Sequence, residues 1–174
     1  MFIQLVSSSL VLYVFLIYQR GSRIHVDSEK DGKRYLVKNN KFSSKSANIL
    51  SELNSKKNKL CIYLETQKQY INHKGIQRLL NNSDVIIEEV AKKYEKEAAY
   101  SINKGEKIGI CLRDKQTGKL QNVNDMFFVL IHELAHIMTA EYKHNKQFWD
   151  NMSLLIENAV NAGLYTYVNY KTKP

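Results

Sequence analysis

The chain has 174 residues, with 26 Lys+Arg against 17 Asp+Glu, a formal net charge of +9 and 44% hydrophobic residues. Its single Pro is the last residue, and it shows no internal repeat, Pro-rich linker or low-complexity tract, so one domain with a real core is expected. Two cysteines without CxxC spacing, Cys61 and Cys111, lie inside apolar runs; they exclude a disulfide-framed scaffold and read as core thiols in a reducing compartment.

At the amino terminus, Phe2 to Tyr18 runs without a charge. As a helix it would be roughly 25 Å long, barely enough to cross a bilayer. No Lys or Arg precedes it and no small-residue cleavage site follows, so a retained membrane anchor is expected rather than a cleaved signal or a soluble apolar helix. Arg20 and Arg23 follow directly, and the positive-inside rule then puts the body of a single-pass protein on the cytoplasmic side. Charge is uneven along the chain: residues 19–82 hold 14 Lys+Arg against 5 Asp+Glu, whereas residues 83–174 hold 12 of each. A basic membrane-proximal segment is drawn to anionic lipid headgroups, by about 1 kcal/mol per nearby Lys or Arg. Ordinary solvated lysines are the bland alternative. Nucleic acid is the weaker partner, because no aromatic-basic interleaving or reading helix accompanies the charge.

Beyond this segment, Tyr35-Leu36-Val37 predicts a short strand. An amphipathic helix is expected from Ser43 or Ser44 through Lys56, with Ala47, Leu50 and Leu53 on one face, then a second helix from Leu60 to Gln67 and a third from Ile76 to Asn81. Asp84 to Glu97 is ambiguous between strand and helix. Ala99 to Ile102 and Lys107 to Leu112 flank Asn103-Lys104-Gly105-Glu106 and read as a β-hairpin, with Gly105 at a positive-φ position. Asn124 or Asp125 can cap a following apolar helix, and another helix is expected from Lys146 to Ala162.

The apolar helix carries His132-Glu133-Leu134-Ala135-His136. Helical spacing of i and i+4 puts His132 and His136 on one face, where two imidazoles can ligate one Zn²⁺. Glu133 beside them suits a general base acting on a metal-activated water. Burying two His and a Glu in such a helix without compensation is costly, which disfavours plain core residues. A catalytic zinc usually takes three protein ligands. His144, separated from His136 by seven residues where the helix should end, is the foremost candidate for the third, with Glu157 as its competitor. Phe148 and Trp149 read as core beneath the site, and Tyr142 is a weak candidate for assisting an oxyanion.

HELAHIMTAEYKHNKQFW, residues 132–149, resembles the HELAH…H…FW signature of the WLM and SprT-like zinc metallopeptidases, in particular the small WLM-like proteins of giant DNA viruses. Tyr100 to Arg113 resembles the hairpin before the helix in those viral proteins, and Asp27 to Lys38 their opening segment, so the likeness spans roughly residues 24 to 170. It implies a three-histidine zinc site at His132, His136 and His144 with Glu133 as base. The gap to His144 is two residues longer than in cellular WLM proteins. A DNA-repair role like that of some cellular relatives does not carry over, for there is no CxxC zinc ribbon or recognisable peptide-binding tail. In zincin-like folds the strand before the active helix lines the cleft; Ile108 to Leu112 holds that place, and an exposed edge there would let a peptide pair with it.

The resulting expectation is an α+β fold: a zincin-like domain with a small β-sheet and an HExxH helix, preceded by one transmembrane helix. Residues 1–19 form the anchor, 20–43 the basic juxtamembrane segment and first strand, and 44–174 the metallopeptidase domain. The expected function is a membrane-anchored zinc metallopeptidase acting on a peptide or protein substrate, placed in a host or virion membrane. The alternative is a catalytically silent zinc-binding structural or interaction protein of such a membrane.

Overall fold

A computed structural model describes residues 22–91, 94, 96–103, 105–141 and 143–170. Strands β1 (Arg23–Asp27) and β2 (Arg34–Lys38) form an antiparallel hairpin in which Arg23 faces Lys38 and Asp27 faces Arg34. Only the second strand was expected. The hairpin closes through Ser28 N–H to Lys33 O at 2.9 Å, with Gly32 at φ 66°. Asn48 Oδ1 accepts from Ser28 Oγ and from the Glu29 N–H, both at 2.9 Å, and so docks the turn on the first helix.

That helix, α1 (Ser43–Thr66), is one continuous element where two were expected. The polar run Lys56-Lys57-Asn58-Lys59 resembles a break, but Lys56 and Lys57 find acceptors. Lys57 is fully buried and donates to Ser83 O, and Lys56 Nζ donates to Leu164 O at 2.6 Å. The apolar face continues through them as Ala47, Leu50, Leu53, Leu60 and Leu64, all buried. Helix α2 (Lys74–Asn81) starts two residues before its expected position and is capped by His73, whose Nδ1 accepts from Ile76 N–H at 3.2 Å.

The ambiguous stretch opens with a strand, β3 (Ile86–Glu89), and β4 (Ala99–Ile102) and β5 (Lys107–Ile110) form the expected hairpin. Ile102 O accepts from Gly105 N–H and Glu106 N–H at the turn, where Gly105 has φ 114°. The sheet order is β3-β5-β4, with β5 parallel to β3 and antiparallel to β4. β5 is therefore an interior strand, paired on both sides, and cannot offer the open edge expected of it.

Helix α3 (Val123–Met138) carries the HExxH run, and α4 (Lys146–Asn161) follows. The cap of α3 is Asn122, whose side chain accepts from Asn124 N–H at 2.7 Å. Asn124 and Asp125 serve instead to hold the carboxyl-terminal segment: Asn124 exchanges two hydrogen bonds with the Thr166 backbone, and Tyr170 OH donates to Asp125 at 2.8 Å. α3 packs against α4, α2 and α1 and against β4 and β5. Met126, Phe127, Leu130, Ile131, Leu134, Ala135, Ile137 and Met138 are all buried there.

The α+β class and the small mixed sheet agree with the sequence; the transmembrane part of the expectation is corrected. Among the described residues no helix is long and apolar enough to cross a membrane. α1 has the length but carries Lys45, Lys56, Lys57 and Lys59, while α3 is apolar but has 16 residues. The run of residues 2–18 on which the anchor rested lies outside the described residues. Membrane anchoring, lipid headgroups as partners and a single-pass location facing the cytoplasm are accordingly not retained.

Candidate metal centre

The return loop brings His144 back over α3. Its Nε2 lies 3.2 Å from His132 Nε2 and 3.0 Å from His136 Nε2. Ligand atoms from all three residues fall within 4.8 Å of one another, the one such group of His, Cys, Asp and Glu among the described residues. The two helical imidazoles are half-buried and His144 is exposed. Ligand nitrogens on a tetrahedral cation with bonds of 2.0–2.1 Å are about 3.3 Å apart, so this donor set fits a first-row divalent ion. Glu157, the competing ligand in the sequence, is exposed on α4 and is not part of the group.

Burial pushes the His132 imidazole down to about 4, helped by the nearby His136 and His144. His136 is lowered as well, first by burial and then by His144. Both rings are thus neutral at pH 7, the protonation state that ligates metal. Glu133, 7% exposed, has its carboxyl pushed up to about 7 by burial.

Phe148 is fully buried, and its ring centroid sits 4.9 Å from His132, 4.5 Å from His136 and 4.5 Å from His144. It packs beneath the site as expected. Trp149 does not: it is 53% exposed, with its ring 5.8 Å from that of His144. The reason lies in the cap of α4, where Asn145 accepts from Phe148 N–H at 3.0 Å and fixes the first turn so that Phe148 points inward and its neighbour outward. Tyr142, considered for an oxyanion, lies outside the described residues.

The loop between the helices is held by groups that the sequence does not mark. Thr139 is buried, and its N–H bonds Ala135 O at 3.1 Å while its Oγ1 donates to Ala135 O at 2.7 Å. Asn151 of α4 donates to the same Oγ1 at 3.0 Å. Arg78 of α2 donates through Nε to Met138 O at 2.9 Å, capping the end of α3. A Cβ at Gly75 would stand 3.2 Å from that carbonyl, which explains the glycine. Arg78 lies 60 residues from Met138 in the chain, so no local signal announces this contact.

Comparison with known proteins accords with this centre. The model of the WLM domain matches residues 85–173, covering α3, the return loop and α4. Protein R325 of Acanthamoeba polyphaga mimivirus is 28% identical over 171 residues, 95% of this chain and 86% of its own length. Protein 136R of Invertebrate iridescent virus 6 is 33% identical over 102 residues, 58% of this chain and 53% of its own. Among solved structures, Wss1 from Saccharomyces cerevisiae is similar at 20% identity and a TM-score of 0.41, over 52% of this chain and 77% of that one. With a family model matched over half of its length and spanning all three clustered histidines, the chain belongs to the WLM domain family.

Proposed function

We propose that the protein is a zinc-dependent metallopeptidase that hydrolyses peptide bonds with an activated water. His132, His136 and His144 hold the Zn²⁺. The observation that carries this reading is the convergence of three imidazoles, the two helical ones kept neutral by burial, beside a buried carboxylate of raised pKa on the same helical turn. When bound, zinc supplies a Lewis acid that polarises a carbonyl and lowers the pKa of water. Glu133 takes the proton from the attacking water and returns it to the leaving amine, and a carboxyl near neutrality suits both transfers. The exposed side of His144 leaves room for a chain segment to approach.

A structural zinc site usually closes with four protein ligands and has no use for an adjacent carboxylate. Three are grouped among the described residues, which favours turnover over a silent scaffold. The test is Glu133→Gln, which keeps the shape and hydrogen-bonding capacity of the side chain. It should retain one zinc per chain and wild-type stability but lose hydrolysis of a proteome-derived peptide pool by about 10²-fold or more. Equal activity of the two proteins would remove Glu133 from the mechanism, and equal inactivity across the pool would favour the scaffold.

A further inference from the structure

We infer that Trp149 forms an apolar recognition subsite beside the three-histidine centre, taking an aromatic or aliphatic side chain of the peptide being cleaved. This inference rests on the peptidase reading and specifies its substrate class. A Trp is seldom left half in water, because its indole is among the largest apolar surfaces a side chain can bury. Here it is 53% exposed although a buried position is one residue away, occupied by Phe148. Phe148 already supplies the packing under His132, His136 and His144, so the site does not need the indole for support.

Two rings fix the indole. It lies 5.1 Å from Phe148 at an interplanar angle of 82°, and 5.8 Å from His144 at 39°. The first turn of α4 holds its backbone, with Trp149 N–H bonded to Asn145 O at 3.2 Å. A rigid apolar surface is thus presented next to a metal-ligating ring on the solvent side of the centre. A peptide whose scissile bond reaches the histidines passes within one side chain's length of it. An apolar side chain there buries its own surface and that of the indole together; a charged one loses water and gains nothing.

Trp149 is the single Trp of the chain, so its emission reports on this position alone. The probes are capped Gly/Ser hexapeptides carrying one Phe, one Leu or one Asp, titrated into the zinc-loaded Glu133→Gln protein, which binds without turnover. The Phe and Leu peptides should shift the emission to the blue saturably and bind about tenfold more tightly than the Asp peptide. Trp149→Phe should keep that preference and Trp149→Ser should lose it, read by calorimetry, with zinc content unchanged in both. Equal binding of the three peptides, no emission shift with any of them, or wild-type preference in Trp149→Ser overturns the inference. Loss of zinc from Trp149→Ser overturns it too, because the indole would then be a support for His144. Failure of the wild type to cleave peptides that do bind in this way counts against the peptidase reading alone.

Discussion

His144 is the residue on which the centre depends most, because it arrives from a loop rather than from the helix that places the other two imidazoles. The seven residues between it and His136 could in principle have carried it elsewhere, leaving Glu157 to complete the set. Instead its Nε2 lies within 3.2 Å of both partners while Glu157 stays out on α4. His144→Ala should therefore weaken zinc binding by about 100-fold or more, whereas Glu157→Ala should leave it nearly unchanged, measured by competition with a chelator. The reverse ranking would show that the ligand set is wrong. The identities of His132, Glu133 and His136 are legible in the sequence because the helical repeat alone puts them together. The exposure of Trp149 is not, since two adjacent aromatics in a first turn differ only in which way the cap turns them.

At the scale of elements, the two ends of α3 do different work. The start is a simple cap, in which Asn122 accepts one N–H. The end is a junction where Arg78, Thr139 and Asn151 tie together α2, α3 and α4 at the point where the chain leaves for His144. Asn122→Ala should cost about 1 kcal/mol of stability in urea denaturation without affecting zinc affinity. Thr139→Val should cost about 1–3 kcal/mol, because Asn151 loses its buried acceptor, and it should also weaken zinc binding by loosening the loop. Unchanged zinc affinity in Thr139→Val would mean that the loop is held by other contacts. Sheet elements show the same division. The β4–β5 hairpin is readable from its turn residues, yet β5 is interior because β3, from a stretch with mixed signals, pairs on its other side.

For the molecule as a whole, the burial of His132 and His136 couples folding to pH. In the metal-free protein His132 titrates near 4, against 6.5 for an ordinary histidine, because burial and its two neighbours disfavour the charged ring. The unfolded chain thus takes up this proton first as pH falls. The contribution of His132 to stability is present above about 6.5 and is lost as pH drops from there toward 4. Glu133, raised to about 7 by burial, works in the opposite sense over the same window, so the test uses Glu133→Gln: with chelator present its urea midpoint should fall across the window, and adding His132→Gln should flatten that fall. With zinc bound the midpoint should be higher at pH 7.5 and drop more steeply on acidification, since protons compete for the same nitrogens. A midpoint independent of pH between 7 and 4.5 in metal-free Glu133→Gln would contradict the packing around His132.

By itself the sequence determined the α+β class, the helix that bears the motif, the hairpin before it and two of the clustered histidines, because each follows from a short-range period or a turn residue. Only the tertiary structure decided that His144 and not Glu157 joins them, that β5 is covered on both edges, that Lys57 is buried within an unbroken α1, and that Arg78 caps α3. Those outcomes depend on which acceptors and strands come within reach across tens of residues, and local patterning carries no record of that.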